Sequence, residues 1–107
     1  MTNEELNTEL YKWAFAEQEH WRDWLVKQSP EEILHNAYEY TIREDILMAM
    51  EYTDVTDAQF KALLNSPCPI ADIFADFEKL ETDHMDDIRW CIEHRADRLI
   101  EKDKEAR

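Results

Sequence analysis

The sequence contains no glycine and only three prolines, Pro30, Pro67 and Pro69. Tight hairpin turns depend on residues that readily adopt positive φ, chiefly glycine, so a β-rich fold is disfavoured. Glycine-rich loops that hold nucleotide phosphates are excluded for the same reason. The missing glycine therefore favours a helical protein and disfavours a nucleotide-binding fold.

Cysteines and long apolar runs are also scarce. The two cysteines, Cys68 and Cys91, are too few and too far apart for a disulfide framework or a zinc site, so both are expected to be free thiols. No apolar run is long enough to cross a bilayer, and the first residues include neither a basic leader nor an apolar stretch. These features predict a cytoplasmic protein without a membrane partner.

The 107 residues are 44% hydrophobic and 11% aromatic, which is enough apolar material for one folded core. We therefore expect a single domain over residues 1–107. Three capping boxes, in which a hydroxyl residue is followed three positions later by Glu or Gln, mark helix starts at Thr2, Ser29 and Thr56. They predict helices at about residues 3–28, 30–52 and 57–65.

Apolar residues recur at helical spacing through all three segments, and again after the proline-containing segment 66–69. There they form a stripe over residues 70–80 and a second stripe at Met85, Ile88, Ile92 and Leu99, on what could be a separate final helix. The predicted fold is all-α, a compact bundle of four to five helices. Three tryptophans of the first helix cannot all share one narrow stripe, so at least one is expected at an edge, where aromatic residues act as binding anchors.

Negative charge is concentrated in the middle of the chain. The net charge is −14, and residues 29–87 hold fifteen acidic and three basic residues, against eleven and nine in the two ends. Such a segment repels itself, so it serves either solubility or contact with a positive surface. The predicted partner-binding residues are the carboxylates of this segment: Glu44, Asp45, Glu51, Asp54, Asp57, Asp72, Asp76, Glu78, Glu81, Asp83, Asp86 and Asp87.

The spacing of these carboxylates suggests how they would act. Duplex DNA carries one negative charge about every 1.7 Å of its axis, and a helix rises about 1.5 Å per residue. Acidic helix faces can therefore imitate DNA in a basic groove of a protein. Direct binding of nucleic acid is disfavoured, because the chain has no basic patch to neutralise phosphates.

Three histidines follow a glutamate by three positions, in the pairs Glu17 and His20, Glu32 and His35, and Glu81 and His84. Di-metal helix bundles use this spacing, so a metal-binding bundle is an alternative hypothesis. Glutamate is so frequent here, at fifteen residues, that such pairs arise by chance, and we assign no metal, cofactor or catalytic residue. Cys91 and His94 share a helix face without a third group to activate the thiol.

The segments 30–34 and 37–47, together with Leu64-Asn65-Ser66-Pro67-Cys68-Pro69, resemble an uncharacterised family of short acidic bacterial proteins. Families of this kind are often carried by phages and other mobile elements. By analogy, the resemblance implies a small inhibitor of host nucleases, of the anti-CRISPR or anti-restriction type.

The leading hypothesis is therefore an acidic inhibitor or adaptor, not an enzyme, that covers the basic nucleic-acid-binding surface of a protein partner such as a phage-defence nuclease. Two alternatives stay open. One is the metal-binding bundle, and the other is a small regulatory or dimerising module without any connection to nucleic acid.

Overall fold

The computed structural model describes residues 1–80 and 84–105. These residues form six α-helices and no strand, which confirms the all-α prediction with one helix more than expected. The helices are α1 (Asn3–Leu25), α2 (Pro30–His35), α3 (Ala37–Met50), α4 (Asp57–Leu64), α5 (Pro69–Glu78) and α6 (His84–Glu105).

The predicted caps start three of these helices. The hydroxyls of Thr2, Ser29 and Thr56 each accept a hydrogen bond from the backbone N–H three residues later. The reciprocal bond of a complete capping box is formed at Thr56, whose N–H donates to Gln59 Oε1 at 2.9 Å. Local side-chain chemistry thus determines where these helices begin.

Two predicted boundaries are wrong. The predicted helix 30–52 is divided at Asn36, whose backbone leaves the helical region at φ −98° and ψ 4°. The Asn36 amide donates to the Glu32 carbonyl at 2.8 Å, and this local bond competes with a continuous helix. The first helix ends at Leu25 instead of residue 28, because the backbone N–H groups of Lys27 and Gln28 bond three residues back, to the Trp24 and Leu25 carbonyls.

The core lies between α1 and the three helices that pack on it, α3, α4 and α5. Its buried members are Leu6, Leu10 and Ala14 of α1, Leu47 and Met50 of α3, Phe60 of α4 and Ile70 of α5. The α1 residues recur every fourth position, so they form one continuous face of that helix. This arrangement places the start of α1 next to the start of α4, and the second half of α1 next to the start of α5.

The predicted compactness is wrong, because α6 stands apart. No residue of α6 is buried, and the helix forms no substantial packing interface with α1–α5 among the described residues. The chain measures 70 × 36 × 23 Å with a radius of gyration of 20.2 Å, against about 13 Å for a compact domain of this length. The apolar stripe of α6 is present as predicted but packs on no other helix of the described residues. The single domain over residues 1–107 stays a prediction.

None of the helices in the described ranges is long and apolar enough to span a membrane.

Candidate partner-binding site

Ten of the twelve predicted partner-binding carboxylates lie in the described part of the chain, and Glu81 and Asp83 lie outside it. Nine of the ten are exposed. They fall on α3, on the connection to α4, at the start of α4, on α5 and on α6. The helices α3 and α5 pack against one another, whereas Asp86 and Asp87 lie on the separate helix α6.

Four of these exposed carboxylates, Asp45, Asp54, Asp76 and Glu78, form no ion pair or side-chain hydrogen bond with another described residue. Others already have a partner within the chain: Asp57 accepts a hydrogen bond from Asn3, Asp72 accepts one from Ser66, and Asp86 pairs with Arg89. Glu51 lies beside Tyr11, where burial and a hydrogen bond to Glu51 raise the pKa of the Tyr11 hydroxyl. The unpaired carboxylates are the ones available to a basic partner.

Glu44 has a different role from the other predicted carboxylates. It is partly buried, and its Oε1 accepts a hydrogen bond from Gln18 Nε2 at 3.1 Å. Gln18 is itself buried, and its Oε1 accepts from Arg43 Nε at 2.9 Å. Glu44 therefore forms one end of a polar chain that runs from the surface into the interior.

The centre of that polar chain is Arg43, which is only 3% exposed. Its guanidinium pairs with Glu17 Oε2 at 3.2 Å and with Glu39 Oε2 at 3.3 Å. The guanidinium carbon also lies 4.4 Å from the ring centre of Trp21, a cation–π arrangement. No buried side-chain nitrogen or oxygen in the described residues lacks a hydrogen-bond partner, so the charge is fully compensated.

Glu17 connects this network to α5. Its Oε1 accepts from the Ile70 N–H at 2.8 Å and its Oε2 from the Ala71 N–H at 3.0 Å, in the first turn of that helix. The residue at the N-cap position, Cys68, provides no side-chain cap of its own. A carboxylate from α1 thus caps α5 from a distance of more than fifty positions along the chain, and it suits the positive end of the helix dipole.

A groove opens beside this network, with a volume of about 790 Å³. We call it the tryptophan groove and define it by Trp13, Trp21 and Trp24 of α1, Arg43 of α3, and Pro67 and Cys68 before α5. Trp13 and Trp24 are 45% and 48% exposed, which confirms that the α1 tryptophans do not share one buried stripe. An apolar groove of this size with a few converging polar groups is typical of a binding site.

Sequence reasoning did not find the role of Arg43, although a signal was present. Arg43 is the only Lys or Arg between Lys27 and Lys61, and it follows Glu39 by four positions, which puts both on one helix face. A single basic residue in such an acidic stretch indicates that its side chain pairs with specific carboxylates of the same chain.

The Glu-x-x-His pairs do not come together. Glu17 accepts hydrogen bonds from Arg43 and from the first turn of α5, while His20 is exposed at the groove. Glu32 and His35 are both exposed on α2, and Glu81 lies outside the described residues. Within the described ranges, no group of three or more His, Cys, Asp or Glu side chains is placed to hold a metal ion.

The two thiols are unpaired, as expected, and differ in their surroundings. Burial, followed by the charges of Asp72 and Glu17, raises the pKa of the Cys68 thiol. Cys91 is exposed on α6, and its neighbour His94 stacks on the Trp90 ring at 4.7 Å. The thiol of Cys91 is therefore the more accessible of the two.

Iodoacetamide at mildly alkaline pH is expected to alkylate Cys91 before Cys68. The thiolate is the reacting form, so a raised pKa leaves less reactive Cys68 at a given pH, and partial burial slows access further. Peptide mass spectrometry over a time course measures both rates in one sample. Equal rates in the folded chain would contradict this, and unfolding in urea should bring the two rates together.

Comparison with known proteins gives a match to a protein family. No curated protein and no solved structure matches the chain. A family model described as "Protein of unknown function (DUF3848)" matches residues 6–100, a range that begins in α1 and ends in α6. The chain therefore belongs to this family, which confirms the expected resemblance to an uncharacterised family.

Proposed function

We propose that this chain is a protein-binding inhibitor or adaptor that acts by occupancy, without turnover, on a basic surface of its partner. The observation that carries the proposal is the set of exposed carboxylates on α3, α5 and the connection to α4 that form no ion pair with another described residue. The partner class that fits is a nucleic-acid-binding protein in the cytoplasm, such as a nuclease of a phage-defence system.

The charge balance supports this location for the contact. Residues 1–80 hold seventeen acidic and six basic residues, and one of the six, Arg43, is buried and already paired. Charges held without local compensation destabilise the folded state. A basic partner would relieve that repulsion, so electrostatic attraction and stability both favour the complex.

The helical backbone supports competition with nucleic acid. Carboxylates on rigid helices keep fixed spacings, so they enter a basic groove without the ordering cost that a flexible acidic tail would meet. Association would be fast and salt-dependent, as for other electrostatically steered complexes. In its specific form, the proposal is that the chain is encoded by a mobile element and acts as an anti-CRISPR or anti-restriction inhibitor.

Reversal of two unpaired carboxylates, Asp54→Lys with Asp76→Lys, is expected to weaken partner binding roughly tenfold or more at low salt. Both residues are exposed, so the fold should be retained. The partner is obtained from host proteins that have been purified on heparin. It is the nucleic-acid-binding protein among them that binds to the wild-type chain. Dissociation constants at about 50 and 300 mM salt, with and without competing duplex DNA, provide the measurement.

The matched control is Glu19→Lys with Asp23→Lys, two exposed carboxylates on α1 outside the acidic segment. The control changes the net charge by the same amount as the first variant. A difference in binding between the two variants therefore depends on where the charge lies and not on the total charge. The proposal requires strong loss in the first variant and weak loss in the control. Equal loss in both, or binding that duplex DNA does not displace, would sink it.

A further inference from the structure

We draw no further inference here: the strongest candidate, the exposed apolar stripe of α6 formed by Met85, Ile88, Ile92 and Leu99, is an unpartnered helix face, and nothing in the structure shows what covers it.

Discussion

Arg43→Ala is expected to lower the free energy of unfolding by about 3–5 kcal/mol, a large part of the stability of a domain of this size. The substitution removes the guanidinium that pairs with Glu17 and Glu39 and that donates to Gln18. It leaves Glu17, whose side chain is 13% exposed, without its cation. Chemical denaturation monitored by tryptophan fluorescence measures the change, because Trp21 lies against Arg43.

The matched control is Arg89→Ala. Arg89 also pairs with a carboxylate, Asp86, but is 70% exposed, so its removal should change stability by less than about 0.5 kcal/mol. A second comparison replaces both partners, Arg43→Met with Glu17→Gln, and should cost less than the sum of the single changes. A small effect of Arg43→Ala alone would show that water compensates the carboxylates and that the network is not buried.

Helix starts were predictable because their causes are local. A hydroxyl and the N–H three residues later are neighbours in sequence, so Thr2, Ser29 and Thr56 mark their helices without knowledge of the fold. Pro69 opens α5 for a similar reason, since the first helical position needs no N–H donor. The all-α class followed from these signals and from the absence of glycine.

The break at Asn36 shows where periodicity fails. Leu34, Tyr38, Ile42, Ile46 and Met50 repeat every fourth residue across the break, so the apolar pattern predicts one helix. In the structure only Met50 of this series is buried, whereas Leu34 and Tyr38 are 76% and 58% exposed. Each step of four residues drifts by about 40° around a helix of 3.6 residues per turn, so five such residues spread over about 160° and do not share one buried face.

The candidate site was predictable only in part. Apolar spacing identifies the α6 stripe but does not say what covers it, because the partner surface comes from other elements. The carboxylates were predicted as partner-binding residues from charge alone, and nine of the ten described ones are exposed. The interior role of Glu44 depends on Gln18, 26 positions away. Contacts between distant segments leave no local pattern in a single sequence.

Glu17→Gln is expected to lower the free energy of unfolding by about 3 kcal/mol and to loosen the first turn of α5. The carboxylate accepts from two backbone N–H groups, at Ile70 and Ala71, and from Arg43. An amide has one accepting oxygen, and its NH₂ group would face donors, so at least one of these bonds must be lost. Cys68 offers no cap in its place.

The local nature of this effect makes it separable from general destabilisation. Hydrogen exchange of the Ile70 and Ala71 amides should accelerate more than exchange in α4, whose cap at Thr56 is independent of Glu17. Glu19→Gln, two positions away and exposed, should change neither. Uniform acceleration of exchange across α4 and α5 would mean that Glu17 supports the whole core and is not the cap of α5. The predicted pattern would show instead that one carboxylate links α1 to α3 and to the rim of the tryptophan groove.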